Sequence, residues 1–162
     1  MADDERDWIR MHTAETIVEM LVRRDFPFLA GARIWCLGRP KATLNRGRVT
    51  LAKAKVPSHE LRAVVEDAGG RIDYLIVIGQ DAWDALSANQ REALMYHELS
   101  HFVGWDDETE TWTLRGHDIE VFAKEIERYG AWRGDLRVFF DTLRGVQQEL
   151  FGPPDPAPAV SQ

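Results

Sequence analysis

The chain has 162 residues, a formal net charge of −7 and 44% hydrophobic residues. That length and apolar content suffice for a buried core, and no stretch approaches the run of about eighteen apolar residues that a membrane span requires. The charged start Met1-Ala2-Asp3-Asp4-Glu5-Arg6 is followed by no apolar h-region and Cys36 is the one cysteine, so the sequence predicts a cytoplasmic protein with no secretory signal and no internal disulfide.

In chain order, Trp8, Ile9, Ile17, Met20 and Leu21 are spaced for the buried face of a helix over residues 4–24, closed by Pro27. Strands are predicted over 33–37 and 48–56, joined by a turn-rich link with Pro40, Asn45 and Gly47, and a stronger apolar strand over 72–78 follows the Gly69-Gly70 turn. The next helix opens at Ser87, which fits a capping box with Gln90, carries the apolar stripe Leu94, Met95, Leu99 and Phe102, and ends at Gly104 in a left-handed conformation. A connection over 105–114 leads to a helix over 118–128. A final helix over 135–151 has Leu136, Phe139, Phe140, Leu143, Val146 and Leu150 at core spacing. Residues 152–162 are Pro/Ala-rich and read as a disordered tail. The predicted fold class is therefore α+β: a single domain over 1–151, with a small sheet of about three or more strands packed on the central helix and helices at both ends.

The central helix contains the chemistry. His97-Glu98-Leu99-Ser100-His101 matches His-Glu-x-x-His. Residues four apart share one helix face, so His97 and His101 can aim imidazole nitrogens at one Zn²⁺. Glu98 projects beside them, placed to take a proton from water as a general base. A catalytic zinc site needs a third protein ligand, and three residues compete for it. Asp107 completes His-Glu-x-x-His-x-x-Gly-x-x-Asp, a spacing that resembles the metzincins, although every methionine lies upstream of His101, so no Met-turn accompanies it. Glu120 resembles the gluzincin ligand, with Lys124 where that pattern has an acid. His117 is preferred, because imidazole is the commonest partner of such a pair.

The helix ending in His-Glu-Leu-x-His-Phe, the acidic Trp105-Asp106-Asp107-Glu108 connection, the His117-Asp118-x-Glu120-x-Phe122 segment and Tyr129-Gly130-Ala131-Trp132 together resemble the metallopeptidases encoded in phages and prophages. More distantly the chain is similar to the SprT-like zincins. The resemblance spans roughly residues 30–132 and implies a zincin-like fold, with His97, His101 and His117 on zinc and Glu98 as catalytic base. It implies a protein or peptide substrate of unspecified sequence.

Other features read as structural. Cys36 is a small hydrophobe on a strand, His12 and His59 fall outside any ligand spacing, and most of the six tryptophans sit beside apolar runs as core or core-edge residues. The acidic run 106–110 lacks EF-hand spacing and reads as a solvated loop. One charge asymmetry stands out: between Ala30 and Ser58 there is no Asp or Glu, yet Arg33, Arg39, Lys41, Arg46, Arg48, Lys53 and Lys55 fall there. Such a segment either protects a sheet edge, the favoured reading, or steers anionic partners such as nucleic acid. The second option defines an alternative function: a non-catalytic, zinc-stabilised binding module that contacts nucleic acid through residues 33–55.

Overall fold

Tyr74–Gly79, a run without a polar side chain inside it and rich in β-branched residues, is buried along its whole length, as a strand flanked on both faces must be. The computed structural model describes residues 7–118 and 123–151. These contain β1 (Ile9–Arg10), α1 (His12–Asp25), a single 3₁₀ turn (Pro27–Leu29), β2 (Ile34–Arg39), β3 (Thr43–Asn45), β4 (Arg48–Thr50), β5 (Ala52–Lys55), α2 (His59–Asp67), β6 (Tyr74–Gly79), α3 (Gln80–Ala85), α4 (Ala88–Ser100), β7 (Phe102–Asp106), β8 (Thr111–Leu114), α5 (Ala123–Tyr129) and α6 (Gly134–Phe151). The architecture is α+β and fits a zincin-like fold. The predicted tail over 152–162 and the first residues of the predicted N-terminal helix lie outside the described residues. Among the described residues no helix is long and apolar enough to cross a membrane.

The described chain falls into two compact units that divide after Gly116. In the first, the main sheet has the order β1-β2-β6-β5. The β2–β6 pair is parallel and both outer pairs are antiparallel. Alternate side chains sort to the two faces. Cys36, Ala52, Tyr74, Ile76 and Ile78 join α1 and α4 in the main core, whereas Leu75 and Val77 pack with Val65 of α2 and with Trp35 and Leu37. Ser87 and Gln90 cap α4 reciprocally, each side chain bonded to the other's backbone N–H. Met95 and Leu99, both fully buried, fix the helix on the sheet.

Several elements depart from the sequence expectations. Ile9–Arg10 is a strand, not helix, because it pairs with Gly38 and Leu37 at the open edge of β2. Trp8 and Ile9 are consequently exposed, as are Trp105 and Trp132, so the tryptophans are not uniformly core residues. The predicted strand over 48–56 breaks at Leu51 into β4 and β5, and β4 pairs with β3 through a turn in which Arg46 and Gly47 both have positive φ, the backbone a two-residue hairpin turn demands. Helix α2, opened by Ser58 with its hydroxyl accepting from Leu61 N–H, and the short α3 were both unanticipated. Helix α4 stops at Ser100, with His101 as its cap. Gly104 serves instead as a positive-φ irregularity in β7, within a hairpin where a loop was predicted.

In the second unit Gly130, with φ +60°, ends α5 and donates to the Ile126 carbonyl, as a left-handed cap does. Of the α6 stripe, Leu136 is buried, while Phe139, Leu143, Val146 and Leu150 are exposed. The helix therefore forms as the periodicity predicts, but most of its apolar face is not in a core.

Tyr74 joins the sheet to the β7–β8 hairpin. Its ring stacks on Phe102 at 3.9 Å between centroids. Its hydroxyl accepts from Gly104 N–H at 2.9 Å and donates to the Thr113 carbonyl at 2.7 Å. Tyr74→Phe keeps the stack and strands these buried groups, so unfolding stability should fall by about 1–3 kcal/mol. An unchanged denaturation midpoint would show that water or relaxation replaces the hydroxyl.

Candidate metal centre

Helix α4 presents His97 and His101 one turn apart, with ring centroids separated by 5.1 Å. His97 is exposed and His101 half-buried, whereas Glu98, one position round the helix, is only 4% exposed. Helical geometry thus turns the imidazoles outward and the carboxylate inward.

The chain returns to this helix end through Arg115. Its N–H donates to the His101 carbonyl at 2.8 Å and its Nε to the Ser100 carbonyl at 2.8 Å. Both acceptors are carbonyls that a terminating helix leaves without partners, and a cation there also suits the helix dipole. The Arg115 carbonyl in turn lies 2.8 Å from His101 Nδ1. A carbonyl only accepts, so this bond calls for the proton on Nδ1, the tautomer whose Nε2 bears the lone pair that a metal takes from a ligand histidine. His117 comes two residues beyond this anchor. Ring nitrogens of His97, His101 and His117 all lie within 4.8 Å of one another. Three imidazoles suit a borderline divalent cation, with bonds of about 2.1 Å for zinc, so the donor set fits a metal ion.

Glu98 is held from the sheet. Its Oε2 accepts from Ala54 N–H on edge strand β5 at 2.8 Å. Burial raises its proton affinity above the ordinary carboxylate range, and the bond from Ala54 and the nearby His101 oppose that shift. A cleft of about 600 Å³ runs beside it, one wall formed by residues 48–52 and the other by Leu86, Gln90, Ala93, Leu94, His97 and Glu98.

The rival ligands separate clearly. Asp107 lies in the β7–β8 turn, outside the histidine cluster, which is the one group of at least three potential ligands among the described residues. Glu120 lies outside the described residues. Asp118 forms a bend after His117, and the described helix that follows begins at Ala123. His12 caps no cluster and contacts Glu15, while His59 opens α2. Cys36 is buried and its thiol is pushed up by burial, which removes it as a nucleophile. Asp106 accepts from Glu108 N–H at 2.9 Å inside its own turn, and this bond lowers its carboxyl below the ordinary range. The predicted strand over 72–78 is β6, an interior strand; the edge beside the cleft is β5. Two groups that shape the site were missed from sequence: the Ala54 amide and the Arg115 carbonyl. Both are main-chain atoms, whose positions no residue type announces.

No curated protein and no solved structure matches the chain. The model of a family described as putative phage metallopeptidase matches residues 6–144, a span that includes α4, Arg115 and His117. With its histidine cluster marking a potential metal site and the family match covering most of its length, the chain belongs to this phage metallopeptidase family, whose name denotes a metal-dependent peptidase.

Proposed function

We propose that the protein is a zinc-dependent peptidase acting on protein or peptide substrates, with His97, His101 and His117 as metal ligands and Glu98 as general base. The observation that carries this reading is the convergence of three ring nitrogens within 4.8 Å on a helix that also holds an acid beside a cleft. The chemistry supplied by a zinc ion held there is Lewis-acid activation of water and of the scissile carbonyl. Glu98 performs the proton transfers. Its Oε2 is engaged by Ala54 N–H, which supports Oε1 as the oxygen that takes a proton from water and returns it to the leaving amine. His101 is oriented by its Nδ1–H bond to Arg115, so its ring needs little reorganisation to offer Nε2. The apolar residues of the cleft, Val49, Leu51, Ala52, Leu86, Ala93 and Leu94, exclude water from one side of the reacting centre.

Zinc content tests the ligand assignment. The wild-type chain should retain about one zinc ion after dialysis, and His97→Ala or His101→Ala should bring this to near zero, since two ligands of three do not hold the ion tightly. His97 is exposed, so its truncation removes a donor without opening the core. Equal zinc in wild type and both variants, by elemental analysis, would refute the assignment.

Glu98→Gln separates binding from chemistry. The amide preserves shape and can still accept from Ala54 N–H, but it cannot take up a proton. Zinc should be retained while turnover of casein or of a peptide library falls at least about a hundredfold. Loss of zinc in this variant would make Glu98 a ligand and overturn the mechanism.

A further inference from the structure

The cleft is bordered by a basic hairpin on an otherwise acidic protein. The β3–β4 hairpin projects from a fixed base: Ala42 N–H donates to Asp81 at 2.7 Å, and Gly79 N–H donates to the Leu51 carbonyl at 2.9 Å. Gly79 also packs so closely on Ala42 that a Cβ there would meet backbone at 2.5 Å. From this base the hairpin presents Lys41, Arg46 and Arg48, all exposed, and Arg48 lines the cleft. Lys53 and Lys55 of β5 lie opposite Val77 and Leu75, on the sheet face away from α4. Several cations elsewhere are tied to carboxylates, as in Arg10–Glu15, Arg24–Glu92 and Arg71–Asp73. Among the described residues no ion pair holds Lys41, Arg46 or Arg48.

Protection of the sheet edge accounts for Lys53 and Lys55 on β5. It does not account for Lys41, Arg46 and Arg48, which lie outside the four-stranded sheet. The hairpin also exposes an aliphatic cross-strand pair, Leu44 at 70% and Val49 at 59%. Nucleic-acid surfaces without sequence preference use aromatic rings for stacking; two aliphatic side chains between cations suit a polypeptide. The net charge of −7 opposes an acidic partner only weakly at contact, because physiological salt screens charges beyond about 8 Å.

Resting on the peptidase reading above, we propose that the substrate is an acidic polypeptide segment. Its carboxylates pair with Lys41, Arg46 and Arg48 along the hairpin, and a neighbouring apolar side chain enters the cleft beside His97 and Glu98. The basic wall acts in recognition and takes no part in bond cleavage.

The test uses the full chain carrying Glu98→Gln and loaded with zinc, so that bound peptide is not consumed. Fluorescence anisotropy compares a labelled flexible peptide of Glu, Leu, Gly and Ser, its Gln-for-Glu twin, and a single-stranded DNA oligonucleotide. The Glu peptide should bind at least about tenfold tighter than its twin at low salt, with the advantage shrinking as salt rises. Arg46→Glu with Arg48→Glu should remove most of that preference while leaving zinc content and the thermal melt unchanged. Equal binding of the two peptides, or a preference that survives charge reversal, overturns the proposal. Tighter binding of the DNA, lost in the same variant, overturns it in favour of a nucleic-acid surface. Should the double reversal fail to fold, Lys41→Gln with Arg48→Gln and the salt titration of the unreversed protein decide the matter. Zinc analysis of the same samples keeps the two readings apart: a chain that holds no zinc strikes at the peptidase, whereas a zinc-loaded chain indifferent to peptide charge strikes only at this inference.

Discussion

The site depends on the way the main chain at Arg115 is locked to the end of α4. One residue supplies a backbone N–H to His101, a guanidinium to Ser100 and a carbonyl to the His101 ring. The first two bonds satisfy helix-terminal carbonyls that would otherwise need water. The third selects the tautomer that leaves His101 Nε2 basic. The lock also carries His117, because a residue two positions on has little room to wander. Arg115 is itself delivered by β8, and β8 is held by the Tyr74 hydroxyl and by the Tyr74–Phe102 stack. A continuous line of contacts therefore runs from the interior strand of the sheet to the ring of a candidate metal ligand.

Glu98 is constrained from the opposite direction. An ionised carboxylate placed at 4% exposure loses most of its hydration, a penalty of several kcal/mol unless hydrogen bonds offset it. The Ala54 amide supplies one such bond. It draws that amide away from further sheet pairing, so the outer edge of β5 is partly satisfied by helix α4. An extended chain approaching this edge meets the cleft and the basic hairpin first, not a free row of main-chain donors.

The parts of the fold legible in the sequence are those set by local chemistry. Ser87 and Gln90 announce the start of α4, the His-Glu-x-x-His spacing places its functional face, and the apolar run marks β6. The parts that were illegible depend on distant partners. Ile9 and Arg10 carry helix-compatible spacing, yet the open edge of β2 captures them as a strand. Gly104 signals a positive φ correctly; that it belongs to a hairpin and not to a helix end is decided by Tyr74, thirty positions earlier in the chain. Helix α2 could have been read from Ser58 as N-cap with Leu61 and Val65 facing inward, and its short length hid it beside the glycine turn. The histidines were visible as residue types, but the amide and carbonyl that aim Glu98 and His101 were not.

The three ligand candidates come from two segments, and this has a chemical consequence. His97 and His101 ride on a helix anchored by two fully buried side chains, while His117 comes from the segment that follows Arg115. The helix cannot yield without disturbing Met95 and Leu99, so two members of this donor set are fixed from the core. Metal affinity at such a site is therefore governed by how firmly Arg115 is locked, a property of the β7–β8 hairpin and of Tyr74 beneath it. Stability of the hairpin and occupancy of the site are linked quantities, since anything that binds only the folded arrangement stabilises it by mass action.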